Sequence, residues 1–198
     1  MASTTSSAAG WRDRPQMTMA ALGLISGLVS AGIGLELELA WLRPVGMIFL
    51  LDAGPVPIGL FFGAAVAAGV WMWTRKAWAV PVLLVTTMYA WSAAIQVAIR
   101  LQRTVDDDPH LIAASLAAGA VGAGLTHLGC AIFVPGLRRP MRIALTCAVG
   151  AVAGLLLFMG QRKMVDERLL FAVWQPAVAF CIGLGLRAPA LHPGAGRG

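Results

Sequence analysis

One stretch constrains this chain more than any other. Leu111 to Val134 reads LIAASLAAGAVGAGLTHLGCAIFV, 24 residues without an Asp, Glu, Lys or Arg. A helix that crosses the hydrocarbon core of a bilayer needs about 20 such residues. Small residues fill the first half of the run. Its far end carries Thr126, His127 and Cys130, the densest polar group in any apolar run of the protein. Ser115, Gly119, Gly122, Thr126 and Cys130 recur at steps of three or four, so on a helix they share one close-packing face.

Composition agrees with a membrane setting. The chain has 198 residues, is 59% hydrophobic and has a mean hydropathy of +0.78. Charged residues make up 12%, about half of the roughly 25% usual in soluble domains. A soluble fold of this size leaves too much surface exposed to hide that apolar content, and lipid as solvent removes the difficulty. The formal charge of +6 comes from cations in short gaps between apolar runs. That distribution points away from nucleic acid and toward anionic headgroups and topology control. Cys130, Cys147 and Cys181 all fall inside apolar runs with no CxxC spacing, so they read as small packing residues rather than a disulfide framework.

The expected fold class is therefore all-α: a polytopic membrane protein, a bundle of six transmembrane helices with no soluble domain. Residues 1–16 read as a disordered cytoplasmic tail and 187–198 as another. The spans fall at about 17–35, 57–73, 78–99, 111–134, 143–159 and 169–186. Val29-Ser30-Ala31 also fits a signal-peptidase site, but the first run reads better as a retained span. Gly23 and Gly27 in the first span, Gly59 and Gly63 in the second, and Gly150 and Gly154 in the fifth are small-xxx-small pairs. Glu36 to Asp52, interrupted by Pro44 and followed by Pro55 and Pro57, reads as a loop on the membrane surface. The alternative is a re-entrant segment dipping into a cavity. Asp106-Asp107-Asp108 lacks the spacing and glycine of a calcium loop and reads as a solvated turn that caps the fourth span.

Counting cations orients the bundle. With the N-terminus inside, inner segments hold Arg12, Arg14, Arg75, Lys76, Arg138, Arg139, Arg142, Arg187 and Arg197, nine in all. Outer loops hold Arg43, Arg100, Arg103, Arg162, Lys163 and Arg168, six in all. The bias places both termini in the cytoplasm of a bacterial-type inner membrane.

The chain has no GxSxG, HExxH or P-loop, so any site must be built by the helices. His127 is the first candidate, because ionisable groups inside a span are expensive and often mark a pathway or ligand. Ser92 and Gln96 lie one turn apart on the third span, with Tyr89 on the same face, and could face Thr126 and His127. They could equally satisfy His127 as ordinary structural partners. His127 with Cys130 at i+3 could instead ligate a soft metal or haem iron. Glu36, near Glu38 at the end of the first span, is a further candidate. So is Gln175, whose neighbour Pro176 frees a backbone carbonyl.

Six short spans, both ends inside, and the Gly23–Gly27 pair in the first span are similar in outline to the substrate-binding membrane subunits of energy-coupling-factor vitamin transporters. No motif specific to that family occurs, so the resemblance assigns no residue. No residue pattern repeats between the two halves as an inverted repeat would require. The leading expectation is a protein of transport type, a permease or the substrate-binding membrane subunit of a transporter. Its polar site would lie between spans three and four, with Glu36–Asp52 as an outer lid. A non-catalytic accessory subunit, binding other membrane subunits through spare glycine faces, is the second. A membrane enzyme or cofactor carrier using His127 is the third.

Overall fold

The computed structural model describes residues 14–34, 56–102 and 107–186. Six α-helices follow in order: α1 Pro15–Val29, α2 Val56–Thr74, α3 Ala79–Gln102, α4 Asp108–Phe133, α5 Pro140–Gln161 and α6 Leu169–Gly183. A π-helical turn, Ser30–Gly34, extends α1, and a 3-10 turn, Pro135–Arg138, joins α4 to α5. No strand occurs among the described residues. Proline opens α1 and α5 and stands second in α4. These are positions where its missing N–H is no loss and its fixed φ is already helical. Asp107 caps α4: its Oδ1 accepts from the backbone N–H of His110 at 2.9 Å. This is the capping role expected of the aspartate run.

Five helices are long and apolar enough to cross a membrane; α6 is apolar but has 15 residues. At 1.5 Å per residue it reaches about 22 Å, less than the roughly 30 Å hydrocarbon core. The expected sixth span ran to Leu186, but the α-helix stops at Gly183 and the last residues form a turn, with Leu186 N–H bonded to Gly183 O. Among the described residues the bundle thus has six α-helices, of which five have full spanning length.

Each helix packs on the next in sequence, and α1 packs on α6, so the six close into a ring. Glycine sets how close they come. A Cβ on Gly23 would stand 2.8 Å from Gln175 O and Pro176 Cα, and one on Gly27 would strike the Phe171 carbonyl. The Gly23–Gly27 face is therefore pressed onto the α6 backbone around its internal proline. Gly59 and Gly63 meet α3 at Met88, Trp91, Thr87 and Leu84, and Gly150 and Gly154 meet α4 at Gly119 and Ser115. All three small-residue pairs read from the sequence are helix contacts. The core inside the ring is apolar, with Met19, Val66, Leu83, Ala123, Val178 and Ile182 fully buried. Leu24, Ile25, Leu28, Val85, Leu128, Ile132 and Val152 point outward, a facing suited to lipid rather than water.

Gly183 lies against Pro15 and Gln16, and Gly136 against Gly185, so residues 14 and 186 end on the same side of the bundle. That side carries Arg14, Arg75, Lys76, Arg138, Arg139 and Arg142 with no acid among the described residues. The opposite side carries Arg100, Arg162, Lys163 and Arg168 together with Asp107, Asp108, Asp166 and Glu167. Exposed Trp71 and Trp78 stand at the basic side, where amphipathic rings suit a membrane–water interface.

Candidate functional site

His127 is fully buried on α4, but it faces neither Ser92 nor Gln96. Its Nε2 donates to the Leu137 carbonyl at 2.9 Å, since a carbonyl can only accept. Its Nδ1 lies 2.7 Å from Thr146 Oγ1 on α5. Thr146 Oγ1 is in turn 2.9 Å from Arg142 O. The imidazole thus ties α4, the 3-10 turn and the first turns of α5 together, and both ring nitrogens are engaged. The expected partnership with the third span is replaced by one with the fifth. The reason is geometric: the turn after Phe133 folds Leu137 back over the last turns of α4.

Of the other sequence candidates, Thr126 and Gln175 border one small cleft beside Trp91 and Trp174, and the rest lie apart. Thr126 is buried and donates to Gly122 O of its own helix at 2.9 Å. Gln175 is buried at the α1–α6 contact, where Ser26 Oγ donates to its Oε1 at 2.6 Å and its Nε2 donates to Ser30 Oγ at 3.0 Å. Ser26 and Ser30 had no pattern in the sequence that marked them; only the antiparallel pairing of the first and last helices brings them to Gln175. Ser92 is buried and Gln96 half-buried on α3, and neither lines the cavities described next. Glu36, Glu38 and the proposed Glu36–Asp52 lid lie outside the described residues. Among those residues, no three His, Cys, Asp or Glu side chains gather in a way that could hold a metal ion.

The larger chemistry-bearing feature lies elsewhere. A cavity of about 200 Å³ opens among α3, α4, α5 and α6, toward the side where α3 ends and α4 begins. Small residues make the room: Ala94 and Ala98 on α3, Ala118, Gly119 and Gly122 on α4, and Gly154 on α5. Aromatic rings make the walls. Trp91 and Phe171 stack with centroids 5.7 Å apart, and Trp174, also lining the cavity, stands edge-on to Phe62 at 5.4 Å. Among the described residues no charged side chain lines it. Trp91 and Ser115 are among its lining residues, but their Nε1 and Oγ are buried away from the open space, and neither has a hydrogen-bond partner among the described residues. Gln102 Nε2 donates to Gln161 Oε1 at 3.3 Å across its mouth. Beyond the mouth Arg162 pairs with Asp108 at 2.6 Å.

In the sequence Ser115, Gly119 and Gly122 read as one packing face. Part of that face does pack, on Gly150 and Gly154. The rest borders the cavity, because α3 and α6 offer alanine and aromatic edges there instead of interlocking branched chains.

A second cavity, about 320 Å³, lies at the basic side between Trp73, Thr74, Phe133 to Gly136, Arg139, Arg142, Gly185 and Leu186. Arg142 is already committed in part, donating to Gly136 O at 2.7 Å.

No protein family, curated protein or solved structure matches this chain.

Proposed function

We propose that the protein is of the transport type, a permease or the substrate-binding membrane subunit of a transporter, and that its cargo sits in the cavity among α3, α4, α5 and α6. The observation that carries this reading is the cavity itself. Folded interiors close to organic-crystal density and leave few voids larger than a water molecule. One of about 200 Å³ that opens among four helices and is bordered by aromatic rings is a preformed space able to hold a small guest. The same reading sets the molecule in an inner membrane with both chain ends in the cytoplasm. Its support is the side that gathers six cations without an acid among the described residues.

The glycine faces that an accessory subunit would offer to partners are occupied within the bundle: Gly23 and Gly27 by α6, Gly59 and Gly63 by α3, Gly150 and Gly154 by α4. A cofactor on His127 would have to displace Leu137 O or Thr146 Oγ1 from its ring. Both alternatives lose ground to the cavity for these reasons.

The test is native mass spectrometry of the full chain released from its own membrane. A bound species of low mass is expected on the wild type and is expected to be absent from Ala118→Leu, whose added carbons would occupy the cavity. A protein that carries no such species and is recovered only with other subunits would overturn the reading in favour of an accessory role.

A further inference from the structure

The second cavity, at the basic side, is built of different chemistry. Its volume of about 320 Å³ is more than double the roughly 150 Å³ that accommodates benzene. Arg139 and Arg142 line one part of it, and Trp73 and Pro135 line another. Arg139 and Pro135 are exposed, and Arg142 and Trp73 are half-buried, so all four are accessible. The arginines stand three positions apart across the start of α5, a spacing that puts them on one face. Arg142 is held in place. Its Nη1 donates to Gly136 O at 2.7 Å, and a Cβ on Gly136 or Gly185 would stand 3.4 or 3.3 Å from that nitrogen. Glycine at both positions therefore leaves room for the guanidinium, and the single bond to Gly136 O uses only part of its N–H fork. Topology control accounts for cations on this side in general. Local structure accounts for Arg138, which donates to the Ala131 and Ile132 carbonyls at the end of α4. It also accounts for Arg75, which follows α2 and lies over the Trp71 ring at 5.8 Å. Neither reason explains a pair of arginines at the N-terminal end of α5, whose first turn holds no acid and whose dipole is positive there. An anion between them would offset both charges.

We propose that this cavity binds a phosphate ester, with its anionic oxygens on Arg139 and Arg142 and its apolar part against Trp73 and Pro135. A planar guanidinium meets two phosphate oxygens at once. A carboxylate offers its oxygens in one plane, which one fork satisfies, whereas a tetrahedral phosphate offers them in several directions and suits two forks. Exposed Trp71 and Trp78 mark this side as the membrane–water interface, the level at which lipid phosphates lie. The site is separate from the α3–α6 cavity and does not depend on the transport reading.

The full chain is melted in neutral maltoside micelles against three probes: dioctanoyl phosphatidylglycerol, dioctanoylglycerol, which has the same chains and no phosphate, and soluble glycerol 3-phosphate. Phosphatidylglycerol is expected to raise the melting temperature at lower concentration than dioctanoylglycerol. Arg139→Gln and Arg142→Gln are each expected to raise the concentration needed by roughly ten-fold, the worth of a charge-assisted hydrogen bond. Lys76→Gln, on the same side but outside the cavity wall, is expected to raise it about two-fold, as a screened surface charge does. Arg142→Lys keeps the charge without the fork and is expected to lose as much as Arg142→Gln. Stabilisation by glycerol 3-phosphate with the same dependence on both arginines would support the site with a soluble ester as its ligand. Stabilisation by phosphatidylglycerol alone would support it with a lipid headgroup. The proposal is overturned if no phosphate probe does better than dioctanoylglycerol, if Arg139→Gln and Arg142→Gln lose no more than Lys76→Gln, or if Arg142→Lys responds as the wild type does. Should the Arg142 variants fail to fold, Arg139→Gln against Lys76→Gln decides it.

Discussion

At the scale of single residues, burial and bonding separate structural polar groups from available ones. His127 is a fully buried ionisable side chain, yet its ring is fully engaged by Leu137 O and Thr146 Oγ1. His127→Ala is expected to lower the unfolding free energy by about 1–3 kcal/mol, the cost of stranding buried partners, while leaving the low-mass species bound in the α3–α6 cavity in place. Unchanged melting with lost binding would instead make the histidine part of the site. Lys163 holds φ of 57° just past the end of α5, with its N–H on Gly160 O and that of Met164 on Met159 O. This is a helix-ending motif that favours glycine, because a side chain in the left-handed region costs roughly 1 kcal/mol. Lys163→Gly is expected to raise the melting temperature, and a decrease would show that the lysine earns its place through its charge. Asp107 lies exposed at the start of α4. The His110 backbone N–H bonded to it, then the His110 side chain, hold its carboxyl below the ordinary value of 3.8. A lowered folded pKa stabilises above the unfolded value and is lost as pH falls through the folded one. The melting difference between wild type and Asp107→Ala should therefore hold at pH 5–7 and narrow below about pH 4; a gap that is constant with pH would sink the assignment.

At the scale of helices, the same residue type does opposite things. A methyl on Gly27 would meet the carbonyl of Phe171, backbone that has no rotamer to turn away, whereas among the described residues nothing lies within 4 Å of the position on Gly32. Gly27→Ala is expected to cost about 1–3 kcal/mol through overpacking of α1 on α6. Gly32→Ala is expected to be neutral or to stabilise by up to roughly 1 kcal/mol, the backbone entropy that glycine forfeits. Equal effects in thermal melts would contradict the α1–α6 contact. The pairs Gly23–Gly27, Gly59–Gly63 and Gly150–Gly154 were legible as packing faces because a period of four is a helix face. Which partner each face meets was not legible, because small-xxx-small patterns do not encode an address. The pairing of first helix with last, and with it the Ser26–Gln175–Ser30 chain, is a product of ring closure.

At the scale of the whole molecule, sidedness is the testable property. The basic side holds Lys76 and the mixed side Lys163, both exposed. With a single cysteine introduced at either place in a background cleared of the native three, a membrane-impermeant maleimide on intact cells is expected to label Lys163→Cys and spare Lys76→Cys. The reverse pattern would invert the orientation, and would put the mouth of the α3–α6 cavity on the cytoplasmic side.

The sequence by itself indicated a lipid setting and an all-α bundle, which the described residues show, because run length, charge gaps and proline positions act locally along the chain. It also determined which faces are smooth enough to pack. It overreached at Leu184–Leu186, where apolar composition continues but the α-helix does not. It pointed to Thr126 and His127 because polar residues in an apolar run stand out by contrast. Whether such a residue is satisfied depends on what folds against it, and the Leu137 carbonyl reaches His127 only through the turn after α4. The cavity was invisible for the complementary reason. It is an absence of atoms, produced where alanines and glycines of α3, α4 and α5 face one another, and only the tertiary structure decides which helices stand side by side.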